Sequence, residues 1–484
     1  MTTHAPAAPQ TASAAPDPAS ARSRALALAV LCAGMLMIVL DGSIVTVALP
    51  AIQDDLHFSP ADLTWTVNAY LIAFGGLLLL AGRLGDLVGR KRVFVAGLTL
   101  FTAASLLCAV ATGQQMLIAA RFLQGVGGAM ASAVSLGMIV TLFPEPAERG
   151  RAIGAFSFVG AAGASIGQVL GGVLTQALGW HWIFLINLPL GLAAVLLSLR
   201  LLEPERGPGL RAGADVLGAV LVTAALMLGI YAIVGTGEHG WASARTLGLG
   251  ALSLALLAGF LLRQARAAQP LLPLRMFRSR NVSGANAVQV LTISGMFGFQ
   301  IMVALYMQQV LGYGAAATGL AMLPAAAAIG AVSLLLSARL SARFGERAVL
   351  LAGLAMLLAA LGLLVRLPSD ADYVVHLLPT MLLIAGGGLV LSTLAVLGMS
   401  DAGPQDAGTA SGLFNTAQQV GGALGVAVLT TLASGRTAAL AAAGHPAADA
   451  LAGGFRLAFA VAAGLLAVAL LLAATVLRPT GRRN

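Results

Sequence analysis

The stretch GRLGDLVGRKR, from Gly82 to Arg92, places a tight cluster of charge between two apolar segments. Its glycines allow the ends of two helices to approach closely. Asp86 follows an apolar run, so its carboxylate can accept hydrogen bonds from the N-terminus of a neighbouring helix. It can equally form a local salt bridge with Arg90 in a simple basic loop. Both interpretations place the stretch in a short connection between two helices.

The composition around this stretch indicates a chain embedded in lipid. Of 484 residues, 59% are hydrophobic and only 9% are charged, and the mean hydropathy is +0.93. A soluble domain of this length needs more charge to cover its surface. The net charge of +9 does not indicate nucleic-acid binding, because the arginines are scattered over short loops. Both cysteines lie in apolar segments, which is typical of buried small side chains without a disulfide or a metal.

Apolar runs of about 18–26 residues, separated by polar breaks, predict fourteen membrane-spanning helices. The first is predicted over 26–49 and the last over 455–477. Most arginines and the single lysine, Lys91, then fall on one side of the membrane, which the positive-inside rule makes cytoplasmic. Because the number of spans is even, both termini lie on that side, and we expect the protein in the cytoplasmic (inner) membrane.

The opening stretch has a counterpart later in the chain. ARLSARFGERA, from Ala338 to Ala348, repeats its arginine, leucine and glycine positions after span 10. GRAIGAF at the start of span 5 and GTASGLF at the start of span 13 match at nearly the same offset. Spans 1–6 therefore correspond to spans 9–14, with spans 7 and 8 inserted between them. Two related bundles that rock about a site at their interface are typical of alternating-access transporters.

This repeat predicts six segments. They are a disordered cytoplasmic tail (1–24), an N-terminal six-helix bundle (25–205), two inserted helices (206–265), a basic cytoplasmic loop (266–280), a C-terminal six-helix bundle (281–478) and a cytoplasmic tail (479–484). The predicted fold class is an all-α integral membrane protein with two pseudo-symmetric bundles.

GRLGDLVGRKR resembles the signature loop between spans 2 and 3 of the major facilitator superfamily. The resemblance implies the fold of that superfamily. It also implies that the loop is a conformational latch that holds the inner side closed. The gate residues implied by this resemblance are Asp86, Gly89, Arg90 and Arg92.

Three further stretches resemble the fourteen-span drug:proton antiporter branch of the superfamily, the EmrB/QacA-like transporters. They are LDGSIVTVALP (Leu40 to Pro50) in span 1, GWHWIFLINLPLG (Gly179 to Gly191) in span 6 and GTASGLFNTAQQVGGALG (Gly408 to Gly425) in span 13. His181 stands where this branch commonly has arginine. The resemblance implies multidrug efflux driven by the proton motive force.

Asp41 is the one acidic residue that lies well inside a predicted span. Burial favours the neutral form of a carboxyl group, so such a group can exchange a proton near neutral pH. The alternative is a structural aspartate that caps a helix turn or pairs permanently with Arg121. The sequence therefore makes Asp41 a candidate for proton coupling.

RFLQGVGGAM, from Arg121 to Met130, places a permanent charge inside span 4. An arginine there costs roughly 2.5–3.5 kcal/mol on insertion scales, unless its side chain reaches the interface from near the helix end. The motif resembles the superfamily's span-4 Arg-x-x-Gln-Gly pattern, which implicates Arg121 in proton transfer. By a rise of about 1.5 Å per residue, Asp41, Arg121 and Gln124 lie at similar depths and can share a network if they face each other.

GAAGASIGQVLGG, from Gly160 to Gly172, places glycines on one face of span 5. Small residues at this spacing let helices pack closely, and packing alone accounts for them. The stretch also resembles the antiporter motif of drug exporters, with Gln168 in place of the usual proline, so a proline kink is not expected. The residues assigned to this antiporter-motif helix are Gly163, Gly167, Gln168, Gly171 and Gly172.

Polar residues within other spans are candidates for a substrate cavity, or else for hydrogen bonds that hold helices together. They are Asn68, Tyr70, Gln124, Asn286, Gln289, Gln300, Asn415 and Gln418. Because only one acid is embedded, we expect neutral or monovalent lipophilic substrates.

The sequence thus predicts a monomeric, proton-coupled antiporter that exports lipophilic drugs or antibiotics by alternating access. A dedicated exporter of one endogenous metabolite or siderophore, a proton-coupled importer and a non-transporting sensor stay open as alternatives, as does Na⁺ as the coupling ion. An enzyme is not expected, because no metal cluster, nucleophile constellation or ATP-binding Gly-x-x-x-x-Gly-Lys motif is found in the sequence. The expected partners are the substrate, protons and membrane lipids, with no cofactor, metal or nucleic acid.

Overall fold

The computed structural model describes residues 18–58, 60–63, 65–203, 207, 209, 215–267, 270–400 and 407–477. These residues form helices and their connections, with no β-strand among them. Thirteen of the described helices are long and apolar enough to cross a membrane. A further helix, Pro146–Leu178, has 33 residues and lies where span 5 is predicted. The predicted fold class, an all-α membrane protein, is confirmed.

The span helices are numbered α1 to α14 in chain order. They are Pro18–Leu56, Trp65–Val88, Arg90–Ala109, Gln114–Leu142, Pro146–Leu178, His181–Leu201, Val216–Val234, Ala244–Arg266, Arg280–Gln309, Ala317–Phe344, Glu346–Leu364, Tyr373–Gly398, Ala407–Ala442 and Ala447–Val476. Short helices at Pro60–Leu63 and Thr236–His239 and a 3₁₀ turn at Leu274–Arg278 lie in connections. Two wider, π-helical turns occur, at Val332–Ser337 within α10 and at Tyr373–Leu377 at the start of α12.

Helix α1 is longer than its predicted span. It begins at Pro18 and continues through Pro50 to Leu56. Residues 18–24, which the sequence assigns to a disordered tail, are therefore helical, since the alanines and arginines of this segment favour helix. Residues 1–17 and the C-terminal tail at 479–484 lie outside the described residues, as does the predicted boundary at 205/206. The basic loop at 266–280 contains the Leu274–Arg278 turn.

Helices α1 to α6 pack against one another, and α9 to α14 do the same. The central pair, α7 and α8, pack together, and α7 also contacts both α2 and α13. Gly76 of α2 lies so close to α7 that a Cβ there would come within 2.4 Å of a side-chain atom of Met227. The inserted pair therefore lies alongside the junction of the two groups of helices, on the α2 and α13 side.

The two groups of helices meet at the face that carries the loop at 83–92, named here the Asp86 face. A Cβ at Gly82 of α2 would lie 2.4 Å from the carbonyl oxygen of Gly408, at the start of α13. On the other side of the junction, the hydroxyl of Ser333 in α10 donates to the carbonyl of Gly154 in α5 at 3.0 Å. A Cβ at Gly154 would also lie 2.7 Å from the carbonyl oxygen of Ser333, so close helix contact on both sides of the junction closes the Asp86 face.

Candidate functional site

A buried salt bridge joins α1 to α4. Nη1 of Arg121 donates to Oδ2 of Asp41 at 2.6 Å, and the two side chains are 1% and 0% exposed. The Nε group of Arg121 donates to the backbone carbonyl of Thr66 at 2.9 Å. Arg121 therefore does not reach an interface, as the simpler interpretation of its motif supposes, but points into the α1–α6 bundle.

Gln124 completes the contact between α1 and α4. Its Oε1 accepts from Nη1 of Arg121 at 2.5 Å, and its Nε2 donates to Oδ1 of Asp41 at 2.7 Å. The same amide nitrogen donates to the hydroxyl of Ser105 in α3 at 2.8 Å. The thiol of Cys108 lies 3.7 Å from Oε1 of Gln124. The sequence proposes Gln124 for a substrate cavity, whereas its amide is bonded on both ends inside this network.

Asn187 of α6 is the third donor to the aspartate. Its Nδ2 lies 2.9 Å from Oδ1 of Asp41 and 3.4 Å from the hydroxyl of Ser105. The Asp41 carboxylate thus accepts from an arginine and two amides, all within a buried site. Each of its two oxygens accepts at least one hydrogen bond, and hydrogen bonds to a charged acceptor are stronger than neutral ones. The set Asp41, Arg121, Gln124, Asn187 and Ser105 is named here the Asp41 network.

Aromatic rings cover the charged end of Arg121. The guanidinium carbon lies 4.4 Å from the ring centroid of Tyr70 and 5.9 Å from that of Phe184. Tyr70 in turn stacks on Phe74 with centroids 5.5 Å apart. A cation over an aromatic face gains about 2 kcal/mol when desolvated. Tyr70, a predicted cavity residue, therefore packs on the salt bridge and is itself buried.

The glycine face of α5 packs against α1 on either side of Asp41. A Cβ at Gly167 would lie 2.8 Å from the carbonyl oxygen of Leu40, and one at Gly171 would lie 2.9 Å from that of Ile44. A Cβ at Gly163 would lie 3.1 Å from a side-chain atom of Leu36, whereas one at Gly172 would meet only the Val47 side chain, at an ordinary contact distance of 3.9 Å. The predicted glycine face of α5 is therefore a close contact that helps to hold α1 beside the network. The side chain of Gln168 lies outside the described residues.

Asp86 of the opening stretch binds the N-terminus of α13. Its carboxylate accepts from the backbone N–H groups of Gly408 at 2.8 Å and Thr409 at 2.7 Å, and from the Thr409 hydroxyl at 2.8 Å. It also forms a salt bridge with Arg90 at 3.2 Å. Both interpretations of this stretch thus hold at once, and the carboxylate lies at the positive end of the α13 dipole.

The other two gate residues play different parts in this turn. Gly89 separates α2 from α3 with a φ of 109°, a backbone conformation that favours glycine. Arg92 is exposed, and its guanidinium lies 3.5 Å from the carbonyl of Val88. The turn geometry therefore rests on Gly89, and the hydrogen bonds across the bundle junction come from Asp86.

The remaining cavity candidates lie in several places. Asn68, Gln300 and Gln418 are half-buried. Asn415 of α13 donates to the carbonyl of Ser411 at 3.0 Å and approaches that of Ser132 in α4 at 3.3 Å, so it joins the two bundles. Asn286 donates to Val282 of its own helix. Among the described residues, no hydrogen bond is found between one of these candidates and another.

A row of polar side chains on α9, which includes two of the cavity candidates, is unusual in its hydrogen bonding. Asn286, Gln289 and Thr292 follow one another at three-residue spacing along α9, named here the α9 polar strip, and are 8%, 0% and 0% exposed. Oδ1 of Asn286, both amide atoms of Gln289 and the hydroxyl of Thr292 find no hydrogen-bond partner among the described residues. Each such group costs about 1–3 kcal/mol when it stays unbonded. In this state the α9 polar strip is therefore buried, with several hydrogen-bonding groups unused among the described residues.

Sequence reasoning missed Asn187 and Ser105. Asn187 lies within the quoted span-6 stretch, where His181 is the one residue discussed individually. Ser105 sits in an ordinary apolar helix, where a lone serine more often bonds its own backbone, as this one also does to Phe101 at 2.8 Å. The signal that could have found Asn187 is its amide in an otherwise apolar helix, at the depth of Asp41.

Comparison with known proteins places this geometry in a family. A sequence profile described as Major Facilitator Superfamily matches residues 31–426. The puromycin resistance protein of Streptomyces alboniger is 39% identical over 465 residues, which are 95% of this chain and 91% of that protein. The cephamycin export protein of Amycolatopsis lactamdurans is 40% identical over 416 residues, 85% of each chain.

The fold also matches solved structures. The crystal structure of a human organic anion transporter, MFSD10, superimposes with a TM-score of 0.67 at 15% sequence identity, covering 93% of this chain and 99% of the other. At that identity the match concerns the arrangement of helices alone. It agrees with the sequence profile.

Proposed function

The chain belongs to the major facilitator superfamily, and we propose that it is a proton-coupled antiporter that exports lipophilic drugs or antibiotics across the cytoplasmic membrane by alternating access. The protein is a multi-pass membrane transporter and not an enzyme. The observation that carries the proposal is the Asp41 network, in which one carboxylate is buried against one arginine in the interior of a bundle. Two relatives are described by resistance to, or export of, an antibiotic, which supports drug-like cargo.

Protonation of Asp41 would remove the negative charge from the salt bridge. Removing one charge from a buried pair leaves the other uncompensated, at a cost of about 3–5 kcal/mol. A proton on Asp41 would therefore weaken the hold of α1 on α4, while Arg121 keeps its bonds to Gln124 and to the carbonyl of Thr66. Protonation and the packing of α1 are linked in this way.

Helix α5 connects this salt bridge to the junction between the bundles. At the level of Asp41 it packs on α1 through Gly167, and nearer its start Gly154 contacts Ser333 of α10. A shift of α1 against α5 can therefore reach the Asp86 face through one continuous helix.

We assign the Asp86 face to the cytoplasm, with both termini on that side, because its loops carry most of the arginines. The hydrogen bonds of Asp86 to α13 then keep the inner side closed. In the proposed cycle, this closed state with ionised Asp41 has carried substrate outward. A proton from outside then reaches Asp41 and favours release and return. The transporter is proposed to work as a monomer.

The substrate class follows from the charges within the bundles. The α9 polar strip offers amide and hydroxyl groups without a charge, and Asp41 is already paired with Arg121. These features support neutral or monovalent lipophilic molecules that carry hydrogen-bonding groups. Because two relatives are each described for one antibiotic, a dedicated exporter of a single compound is the second candidate.

Purified protein in liposomes tests both the coupling and the cargo. Puromycin, a cephamycin, a neutral antibiotic and a lipophilic cation serve as probes under an imposed pH gradient, a Na⁺ gradient or a membrane potential alone. The proposal expects movement driven by the pH gradient and lost when an H⁺/K⁺-exchanging ionophore collapses it. Movement that follows Na⁺, or runs in the uptake direction, would contradict it. Transport of one probe alone would favour the dedicated exporter.

A further inference from the structure

One side-chain atom of Asn187 is left without a hydrogen bond by its present contacts. The side chain is wholly buried and its Nδ2 donates to Asp41, yet its Oδ1 finds no hydrogen-bond partner among the described residues. No local donor is available two positions on, because that residue is Pro189, which lacks an N–H. An unbonded carbonyl oxygen in such a site is costly, which points to a second state in which this oxygen accepts a hydrogen bond.

A protonated Asp41 would need an acceptor for its new O–H group, and the network offers few. Gln124 Oε1 already accepts from Arg121 and faces the Cys108 thiol. The Ser105 hydroxyl accepts from Gln124 and Asn187 while it donates to Phe101. The Thr66 carbonyl accepts from Arg121. Within this network, Oδ1 of Asn187 is the acceptor that is not in use.

We infer that Asn187 is the positioning residue that lets Asp41 hold a proton in its buried site. With Asp41 ionised, the Asn187 amide presents Nδ2 to the carboxylate. With Asp41 protonated, the amide rotates by half a turn and presents Oδ1 to the new O–H. One side chain thus satisfies the carboxyl group in both states. The end of the amide that faces away from Asp41 is unbonded in each: Oδ1 when Asp41 is ionised and Nδ2 when it is protonated.

The charged and titratable groups around Asp41 are few. Arg121 contributes the positive charge from α4, Tyr70 a phenol from α2 and Cys108 a thiol from α3. The described part of α5 facing Asp41 presents glycines. Gln124 is the other amide beside Asp41, but both of its ends are already bonded. We therefore assign the rotation to Asn187. The inference rests on the proposed function, since it requires that Asp41 takes up a proton.

Infrared difference spectroscopy of the full-length protein on acidification tests the inference. A carboxylic C=O band that appears at low pH and is absent in Asp41→Asn identifies protonated Asp41. In Asn187→Leu this band should move to higher wavenumber, because the O–H loses its acceptor. Asn187→Ser, whose hydroxyl can donate or accept, should move it back. Proton-driven efflux should fall about tenfold or more in Asn187→Leu and recover in part in Asn187→Ser.

The outcomes separate this inference from the proposed function. An unchanged band in Asn187→Leu would overturn the inference, even if the variant is less stable or slower. Absence of any Asp41 band in the wild type would mean that the salt bridge is permanent, and the proposed function would fail as well. If Asn187→Leu does not fold, the wild-type protein is measured instead, with its asparagines isotopically labelled at the side-chain carbonyl. Its amide band must then shift together with the Asp41 band and stay fixed in Asp41→Asn.

Discussion

Gly167 of α5 lies against Leu40 of α1, one residue before the buried Asp41. A Cβ added at Gly167 would come within 2.8 Å of the Leu40 carbonyl oxygen and 2.9 Å of the Ser43 Cβ. Neither neighbour is the flexible end of a side chain, so α1 itself would have to move. The position of Asp41 therefore depends on the absence of a side chain on the facing helix.

Gly167→Ala should lower efflux several-fold and reduce thermal stability, because overpacking of a tight contact costs about 1–3 kcal/mol. Gly172→Ala is the matched control, since its Cβ would meet only Val47, at 3.9 Å. Efflux rate and Tm of the two purified variants measure the difference. Equal behaviour of Gly167→Ala and Gly172→Ala would show that the α1–α5 contact does not position the network.

Asp86→Asn should weaken closure of the Asp86 face. The substitution removes the charge that accepts from Gly408, Thr409 and Arg90, and charge-assisted bonds contribute about 1.5–3 kcal/mol. The accessibility of position 411 measures the change, because Ser411 is fully buried in this state. Ser411 is replaced by cysteine in a chain from which both native cysteines, Cys32 and Cys108, have been removed. Thiol labelling of Ser411→Cys should become about tenfold faster in Asp86→Asn.

Glu148→Gln is the control for this experiment. Glu148 also forms a salt bridge on the Asp86 face, with Arg24 at 3.0 Å, but both side chains are partly exposed. Exposed pairs contribute at most about 1 kcal/mol, so the labelling rate should stay near that of the parent. If Glu148→Gln accelerates labelling as much as Asp86→Asn does, net charge and not the latch governs closure.

Gln289→Leu should separate substrate recognition from stability. Both amide atoms of Gln289 are buried without partners among the described residues, so an apolar side chain of similar size should leave Tm unchanged or raise it. Substrates that bond to the α9 polar strip should bind more weakly, with a KM several-fold higher. Gln300→Leu, at a half-buried site of the same helix, is the comparison. A higher KM for Gln300→Leu alone would place recognition elsewhere.

Asp215 should support the inserted helices at all physiological pH values. Although burial raises its pKa, hydrogen bonds from Gly218, Gln264 and Arg263 bring the pKa below the ordinary value of 3.8. A carboxyl group whose pKa is lowered by folding stabilises the fold at pH values above its pKa in the unfolded chain. This contribution is lost only as the pH falls through its pKa in the folded protein. Asp215→Asn should therefore lower Tm equally between about pH 5.5 and 8. A Tm difference that disappears within this range would contradict the prediction.

The sequence predicted the spans and the depth of the charged residues because both depend on local composition. Asp41 and Arg121 were placed at one level by counting helical rise, and the structure shows that they face each other. The partners of Asp41 from α3 and α6 could not be predicted in this way. Ser105 and Asn187 reach it through the packing of separate helices, which a single sequence does not specify. The extension of α1 to Pro18 was missed because a Pro- and Ala-rich segment also fits a disordered tail.

The most direct test of proton coupling is efflux from liposomes under a pH gradient, measured for wild type and Asp41→Asn. Asp215→Asn serves as control, because it also replaces a buried aspartate by asparagine, but one that pairs with Arg263 outside the Asp41 network. We expect Asp41→Asn to bind substrate but to lose efflux driven by the pH gradient, while Asp215→Asn keeps the wild-type pH profile. An Asp41→Asn variant that transports at the wild-type rate and still follows the pH gradient would contradict it.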